Sequence, residues 1–320
     1  MSKWKKIGRI FDPRQHDLGE GVVGYAQSPQ AIILDSFVRI YFSSRKLSQN
    51  GKYLSVVRFI DVDKTFQNIL YVHNDDVIDL GKLGAFDEHG IFPFNVIPKG
   101  ERIYGYTSGW SRRRSVSVET SIGLAISDDR GRTFARHGNG PILTASLKEP
   151  FLVGDPFVKC FSGQYHMWYI FGTQWRSDGT ANIPERIYKI GHSISNDGVT
   201  WQKGTGQQII DDKIGIDECQ ALPTVIRIDG KFHMFFCYRY ISDFRRNKEF
   251  SYRIGHAYST DLITWSRDDS SFNLDISEEG WDSQMLCYPH VFECQNSFYL
   301  LYNGNYFGKY GFGLARLETK

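Results

Sequence analysis

The sequence predicts an all-β protein in which a unit of about 65 residues is repeated five times. Three observations support this prediction. Phe, Trp and Tyr make up 15% of the 320 residues, which favours strands over helices. The chain lacks the long stretches rich in Ala or in Leu, Glu and Lys that are typical of helices. Prolines that lead short apolar runs recur at intervals of 64, 63, 67 and 66 residues, at Pro29, Pro93, Pro156, Pro223 and Pro289.

Each proline-led run is predicted to be the first strand of its repeat, followed by a turn and an aromatic-rich second strand. Turn sequences such as Asp229-Gly230 are typical of β-hairpins. A third strand carries an Ile-Gly or Phe-Gly pair, as at residues 190–191. In most repeats it leads into a turn that contains Asp and ends in Thr and an aromatic residue, such as Asp-Gly-Val-Thr-Trp at residues 197–201. Four antiparallel strands in each of five repeats predict a five-bladed β-propeller.

We expect a single propeller domain over residues 1–320. The fifth repeat ends after its third strand, near Leu317, so the N-terminal segment 4–10 is expected to supply the missing strand and close the ring. The predicted blades cover approximately residues 22–75, 86–145, 150–212, 217–275 and 282–317, the last together with 4–10.

Composition excludes several classes of protein. The formal net charge is +2, so no general affinity for nucleic acid is expected. No apolar segment approaches the ~18 residues that span a bilayer, and the first residues show no signal peptide, so we expect no membrane partner. The five cysteines lack zinc-ligand spacing and are predicted to be reduced core thiols, which favours a cytoplasmic protein without a metal or another cofactor. The oligomeric state is left open.

Acidic residues that precede the first strands are predicted to meet on one face of the molecule. Strands alternate in direction within a blade, so the starts of the first strands and the ends of the second strands lie at the same face. The loops between the second and third strands open there as well. Candidate site acids at this face are Glu88, Asp155, Asp217, Glu218 and Asp282.

Aromatic, arginine and amide side chains are predicted to line the same face. Aromatic rings cover the apolar faces of sugars, while charged groups and amides bind sugar hydroxyls, so this composition favours a carbohydrate pocket. Candidate substrate-binding residues of these types are Arg45, Trp110, Trp175, Arg239, Tyr288 and Asn303.

Position along the first strand singles out Asp155 and Glu218. Asp155 lies one residue before its proline and Glu218 lies five before its own. The difference of four is even, so both side chains are predicted to point to the same side of equivalent strands. Each acid could instead cap a strand or pair with an arginine. His192 and His256 occupy equivalent third-strand positions and are expected to be structural.

The loops between the second and third strands carry many arginines, whose role the sequence leaves open. They are either solvated loop charges or a site for an anion such as a phosphate, an acidic sugar or a nucleotide sugar. These arginines are Arg112, Arg113, Arg114, Arg176, Arg186, Arg245 and Arg246.

Asp155-Pro156, Glu218-Cys219 and the Asp-Gly-x-Thr-Trp turns resemble the five-bladed propellers of glycoside hydrolase families 43 and 32 over nearly the whole chain. Residues 281–317 are also similar to uncharacterised propellers encoded beside bacterial surface-polysaccharide genes. The resemblance implies that Asp155 stabilises the transition state and that Glu218 is the general acid. The family carries an aspartate before the first-blade proline, where this chain has Ser28, so the two-carboxylate scheme lacks one carboxylate.

Three hypotheses of function follow. In the first, the protein is a glycoside hydrolase-like enzyme with Glu218 as proton donor and Asp155 as the stabiliser of positive charge. In the second, it is a glycoside phosphorylase or transferase in which an arginine-bound anion replaces the missing carboxylate. In the third, it is a non-catalytic sugar-binding propeller of surface-polysaccharide metabolism. All three predict a carbohydrate or sugar-conjugate ligand.

Overall fold

The computed structural model describes residues 3–177 and 184–318, and almost all of its regular structure is strand. In chain order the first strands are β1 (Lys3–Phe11), β2 (Val22–Ile33), β3 (Val38–Leu47), β4 (Tyr53–Val62) and β5 (Ile69–Val72). The next are β6 (Gly90–Lys99), β7 (Arg102–Arg112), β8 (Val118–Ser127), β9 (Ala135–Arg136), β10 (Val153–Phe161), β11 (Gln164–Arg176) and β12 (Glu185–Ser195). The last are β13 (Cys219–Ile228), β14 (Lys231–Arg239), β15 (Arg253–Ser259), β16 (Ser266–Arg267), β17 (Cys287–Cys294), β18 (Ser297–Asn303) and β19 (Phe312–Glu318). Short helical segments are two 3₁₀ turns, Pro13–Gln15 and Asp269–Ser271, and the four-residue α1 (Asn305–Gly308).

Consecutive strands pair in antiparallel groups, which we call units 1 to 5. Unit 1 is β2–β5, unit 2 is β6–β9, unit 3 is β10–β12, unit 4 is β13–β16, and unit 5 is β17–β19 with β1. Units 1 and 2 belong to one eight-stranded sheet because Ser55 of β4 pairs with Gly90 of β6 in parallel. The other three units are separate sheets. The fold is therefore all-β, as predicted. The prediction of four strands in every repeat is not met in unit 3, whose described strands are three.

The N-terminal strand closes unit 5, as predicted. β1 pairs antiparallel with β19, from Lys3–Glu318 to Phe11–Phe312. Trp4 is 6% exposed, and its ring meets the edge of the Phe235 ring at a centroid distance of 5.4 Å. The start and the end of the chain are thus joined in one sheet.

Clusters of buried apolar side chains join the units in a closed series. Burying one large apolar side chain contributes about 1.5–3 kcal/mol, so these contacts hold the units together. The clusters pair Tyr41 with Phe94 between units 1 and 2, Tyr106 with Tyr169 between 2 and 3, Trp168 with Phe236 between 3 and 4, Phe235 with Tyr302 between 4 and 5, and Leu301 with Phe42 between 5 and 1.

The prediction that each proline begins its strand is wrong, because all five prolines lie within the first strands, in a β-bulge. In every first strand the proline and the residue before it lie opposite a single residue of the second strand. In unit 3, Asp155 and Pro156 fall between the pairs Gly154–Ile170 and Phe157–Trp168. A bulge interrupts the alternation of side chains along a strand. Counting residues across it therefore no longer tells which side a residue faces.

Backbone conformation at the bulges is unusual for residues other than glycine. The residue before the proline has a φ of 53° at Ser28, 51° at Asp155, 48° at Leu222 and 59° at Tyr288. This left-handed region is sparsely populated by residues that have a Cβ atom. The surrounding sheets hold these residues there, and the bulge turns each of them relative to its strand.

The prediction for the cysteines is wrong at one position. Cys219, Cys237, Cys287 and Cys294 are buried free thiols, whereas Cys160 is exposed near the end of β10. The last residues of that strand lie outside the core, next to its hairpin turn.

No helix in residues 3–177 and 184–318 is long and apolar enough to cross a membrane.

The two predicted structural histidines each pair with a second histidine. His192 Nε2 lies 3.0 Å from Nδ1 of His166, and His256 Nε2 lies 2.9 Å from Nδ1 of His233. Both pairs join the second and third strands of a unit. Burial and the neighbouring histidine lower the pKa of His192 to about 4, so the pair is neutral at pH 7.

Candidate functional site

A cavity of about 580 Å³ lies where the first strands of the units meet. This volume falls within the range of small-molecule sites. Every unit contributes to its wall, for example through Arg45 of unit 1, Trp110 of unit 2, Asp155 of unit 3, Arg239 of unit 4 and Tyr288 of unit 5. All five of these residues were predicted from the sequence.

The bulges explain why the residues before the prolines reach the cavity. Phe92, Asp155, Leu222 and Tyr288 all line it. Ser28, the equivalent residue of unit 1, is 1% exposed, and its backbone N–H donates to Asn303 Oδ1 at 2.7 Å. Unit 1 therefore offers no carboxylate at this position, as the sequence indicated.

Asp155 is the only carboxylate among the described residues that line the cavity. It is 9% exposed, and its own backbone N–H donates to Ser108 Oγ at 3.1 Å. Burial raises the pKa of its carboxyl to about 7, although the backbone N–H of Leu222 and the charge of Arg186 oppose the rise. A carboxyl group with a pKa near 7 is close to half protonated at neutral pH and can donate a proton to a bound ligand.

Arg239 is the most deeply buried arginine of the cavity wall. It is 2% exposed, its Nε donates to the hydroxyls of Tyr188 at 3.2 Å and Tyr252 at 3.1 Å, and its Nη1 donates to Tyr240 O at 2.8 Å. Its Cζ lies 3.5 Å from the centre of the Phe244 ring. Neutral groups and an aromatic face surround this guanidinium, and no described carboxylate lies within ion-pair distance.

Other buried arginines of the protein do have a carboxylate partner. Arg39 Nε is 2.7 Å from Asp61 Oδ1, and Arg58 Nη1 is 2.5 Å from Asp76 Oδ1. Leaving a buried cation without a counter-ion costs several kcal/mol. Because Arg239 lines an open cavity, an anionic ligand could supply the missing charge there.

Three more arginines reach the cavity. Arg45 stacks on the Tyr25 ring at 4.0 Å, and Arg186 Nη1 donates to Ser117 Oγ at 3.1 Å, with no described carboxylate paired to either. Arg245 does have a partner, since its Nη1 lies 2.5 Å from Glu185 Oε1. With four arginines against one carboxyl group in the described wall, the cavity carries net positive charge.

The prediction that Glu218 lies in the cavity is wrong. Its side chain is fully buried and accepts from Arg267 Nη1 at 2.6 Å, from the backbone N–H of Lys213 at 2.9 Å and from Gln220 Nε2 at 3.0 Å. The even spacing from Asp155 misled because Leu222 and Pro223 form a bulge, and a count that starts from this proline crosses the break in side-chain alternation. It is Leu222 that takes the position equivalent to Asp155.

Three other predicted acids also bond to the protein outside the cavity wall. Asp217 pairs with Arg176, and Asp282 pairs with Lys6 Nζ at 2.6 Å. Glu88 Oε2 accepts from the backbone N–H of Gly84 at 2.8 Å. These three acids therefore follow the alternative given above, in which an acid caps the backbone or pairs with a cation instead of binding a ligand.

Two predicted substrate-binding residues have structural positions as well. Asn303 is fully buried, and its Nδ2 donates to Ala26 O at 2.8 Å and Gly311 O at 2.7 Å, which ties unit 5 to unit 1. Trp175 packs against the core between units 3 and 4 and stays outside the cavity wall. Of the seven loop arginines, Arg186 and Arg245 line the cavity, whereas Arg112, Arg113, Arg114, Arg176 and Arg246 do not.

Sequence reasoning missed several tyrosines of the wall. Tyr188 and Tyr252 each lie three residues before the glycine of the third-strand Ile-Gly pair, and Thr120 has the equivalent position in unit 2. Because this position faces the cavity in three units, aligning the repeats could have identified it from the sequence. Tyr306 and Phe307, which also line the cavity, lie in the irregular α1 segment and have no such signal.

Comparison with known sequences gives two closely matching relatives. The chain is 32% identical over 323 residues to "Uncharacterized protein MT1551" of Mycobacterium tuberculosis (strain CDC 1551 / Oshkosh), covering 99% of both chains. It matches "Uncharacterized protein Rv1502" of Mycobacterium tuberculosis (strain ATCC 25618 / H37Rv) to the same extent. The chain belongs to the family of these mycobacterial proteins. No protein-family model matches the sequence.

Solved structures share the fold at low sequence identity. A glycoside hydrolase superposes with a TM-score of 0.73 at 15% identity, over 98% of this chain and 92% of that one. A thermostable family-43 glycoside hydrolase gives 0.63 at 14% identity, over 94% and 90% of the two chains. A structure from the family-130 mannoside phosphorylases and hydrolases gives 0.67 at 12% identity, over 99% and 90%. The resemblance to glycoside hydrolase propellers is thus confirmed at the level of an all-β, propeller-like fold.

Proposed function

We propose that this protein breaks a glycosidic bond, with Asp155 as its single proton donor and an arginine-held anion in place of a second carboxylate. The observation that carries the proposal is that one cavity is lined by a single carboxyl group and by Arg239, a buried cation that has no carboxylate partner among the described residues. Hydrolysis by two carboxylates needs a second acidic side chain in the same cavity. Glu218, which the resemblance offered for that role, is bound to Arg267 elsewhere.

The proposed architecture of this site is a five-bladed propeller forming one domain over residues 1–320. Units 1 to 5 would be its blades. The closed series of core clusters and the pairing of β1 with β19 support this arrangement. In such a ring the cavity lies on the axis, where all units can contribute to one site.

The anion is proposed to be inorganic phosphate, which makes the reaction a phosphorolysis. A phosphate oxygen attacks the anomeric carbon while the bond from that carbon to the leaving oxygen breaks. The Asp155 carboxyl gives its proton to the leaving oxygen, and the products are a glycosyl phosphate and a shortened sugar. The proton of the attacking hydrogen phosphate then restores the Asp155 carboxyl, so the cycle balances.

Electrostatics favour this division of roles. Arg239 and Arg186 can neutralise a doubly charged phosphate and hold it by charge-assisted hydrogen bonds. Asp155, with a pKa raised to about 7 by burial, keeps its proton for part of the time at neutral pH. Trp110 and Tyr288 provide aromatic surface in the same wall for the sugar rings.

Two proteins that share the fold are described as glycoside-active enzymes. One of those proteins is described as belonging to a family of mannoside phosphorylases that contains hydrolases acting on β-1,2 mannosidic linkages. Another is described as an exo-1,5-α-L-arabinanase. These descriptions concern those proteins, and they guide the choice of mannosides and arabinosides as first substrates for this one.

The test is turnover of mannoside and arabinoside oligosaccharides with and without inorganic phosphate. We expect wild-type protein to release shortened sugar only when phosphate is present. Asp155→Asn should lower the rate by about 10²-fold or more, since it removes the proton donor. Arg239→Met should raise the phosphate concentration needed for half-maximal rate.

Arg227→Met is the matched control, because Arg227 is exposed in unit 4 and lies outside the cavity wall. Its rate should equal that of the wild type. Equal turnover without phosphate would refute the proposal in favour of hydrolysis. Tight glycan binding without turnover in any condition would refute it in favour of a non-catalytic sugar-binding protein.

A further inference from the structure

The α1 segment places two consecutive aromatic residues in a strained backbone conformation. Tyr306 has φ 58° and ψ 35°, and Phe307 has φ 57° and ψ 44°. Both lie in the left-handed region, where the Cβ atom of a bulky residue crowds the following carbonyl. Glycine follows at position 308 with φ 85°. Three successive left-handed residues form a tight arm between β18 and β19.

Buried amide side chains hold this arm from both sides. Asn305 Oδ1 accepts from the backbone N–H of Gln284 at 2.7 Å, and its Nδ2 donates to Gly280 O at 2.9 Å. Asn303 bonds across to Ala26 O of unit 1 at 2.8 Å. A Cβ atom at Gly308 would lie only 2.7 Å from Ala26 O, so the arm passes close against unit 1. The strain is therefore maintained by fixed neighbours.

The strained backbone of α1 places two aromatic side chains in the cavity wall. Tyr306 and Phe307 both line the cavity. Phe307 meets the ring of Tyr252 at 6.1 Å and that of Phe244 at 6.2 Å, the two residues that hold Arg239. Packing against the core accounts for Phe307.

Packing does not account for Tyr306, which is 44% exposed. Its only described ring contacts are Tyr310 at 5.7 Å and the Lys309 ammonium. A strained residue whose ring is left open to solvent in a cavity wall contributes little to folding. Strained residues cluster at ligand-binding and active sites.

We infer that Tyr306 is a specificity-determining residue whose ring stacks on the apolar face of a sugar unit, beyond the unit held between Asp155 and Arg239. The inference rests on the proposed function for the class of ligand, since it assumes a glycan. Sugar rings present C–H faces that pack on aromatic side chains, and a Tyr ring with an exposed hydroxyl suits a partly wet subsite. This subsite would favour oligosaccharides over monosaccharides.

The experiment compares Tyr306→Gly with Tyr306→Ala on an array of immobilised mannose- and arabinose-containing oligosaccharides of increasing length. Both variants remove the ring, so both should bind the longer glycans about tenfold more weakly than wild type and bind monosaccharides equally well. Glycine adopts the left-handed conformation without a steric penalty, whereas alanine, like tyrosine, adopts it at an energetic cost. Tyr306→Gly should therefore melt roughly 2 °C above Tyr306→Ala, which shows that the strain is relieved and that the fold is intact.

Tyr71→Ala is the control, because Tyr71 is a tyrosine of similar exposure, 38% against 44%, on the edge strand β5, away from the cavity. It should leave glycan binding unchanged. Wild-type affinity for long glycans in Tyr306→Gly would overturn the inference while leaving the proposed phosphorolysis intact. Loss of length preference in both Tyr306 variants, in a protein that turns over nothing, would support the subsite and reject the reaction. Absence of wild-type binding to any glycan of the array would overturn the inference.

Discussion

Replacing Asp155 with asparagine should change how the stability of the protein depends on pH. Asparagine has nearly the same shape and cannot ionise. Asp155 is 9% exposed, and burial raises the pKa of its carboxyl from 3.8 to about 7. A raised pKa means that the folded state prefers the protonated carboxyl. This preference stabilises the fold fully below pH 3.8 and is lost as the pH rises through about 7.

The size of the effect follows from the shift. The two pKa values differ by about 3 units, and one unit corresponds to about 1.4 kcal/mol. Wild-type protein should therefore lose about 4 kcal/mol relative to Asp155→Asn between pH 4 and pH 7. At roughly 2 °C per kcal/mol, the melting temperatures of the two proteins should diverge by about 8 °C over that interval.

The assay is a pair of thermal melts at each pH from 4 to 9, in a buffer free of phosphate and other polyanions. The difference in melting temperature, variant minus wild type, should rise up to pH 7 and stay constant above it. A difference that is flat across the whole range would show that the Asp155 carboxyl is ionised like a surface group. That result would also remove its role as a proton donor at neutral pH.

Three further predictions concern residues outside the cavity wall. Glu218→Gln removes one of the two carboxylate partners of Arg267, whose side chain is 8% exposed, so the free energy of unfolding should fall by about 3–5 kcal/mol. Activity at low temperature should persist. Lost turnover with an unchanged melting temperature would contradict the structural role of Glu218. Trp4→Ala opens a hole where β1 closes unit 5 and should cost about 3–5 kcal/mol, whereas a melting temperature within 1 °C of wild type would show that the closing strand is dispensable. Burial lowers the pKa of His192 from 6.5 to about 4, so the stability that the neutral ring gives the fold above pH 6.5 is lost as the pH falls toward 4. His192→Gln should therefore begin to unfold at a lower pH than wild type. An identical acid transition in the two proteins would refute this.

The repeat of prolines carried most of the fold prediction. Each proline lies inside the first strand of its unit, and the period of the prolines marked how often the unit recurs. The missing strand of the last unit pointed to the N-terminal segment, which does pair with β19. These features are local or depend on order along the chain, so a single sequence contains them.

The position of Glu218 could not be obtained in the same way. Strand alternation predicts which side a residue faces only while the pairing is regular, and the bulge breaks it. The partner of Glu218, Arg267, lies 49 residues further along the chain. Only the folded structure shows that this ion pair forms and removes the acid from the cavity.

The state of Arg239 is equally invisible in the sequence. Its position at the end of β14 predicted that it would reach the site, and it does. That its neighbours are tyrosine hydroxyls and backbone carbonyls rather than a carboxylate depends on strand β12 and on the segment between β14 and β15. This single property is what shifts the proposal from a two-carboxylate hydrolase to an enzyme that binds an anion.

The most direct test of the account is phosphorus NMR of the protein incubated with mannoside and arabinoside oligosaccharides and inorganic phosphate. Phosphorolysis predicts that a new glycosyl phosphate signal grows as inorganic phosphate falls, and that in Asp155→Asn this signal grows about 10²-fold more slowly or not at all. Shortened sugars appearing without any glycosyl phosphate, at a rate independent of phosphate, would contradict the account.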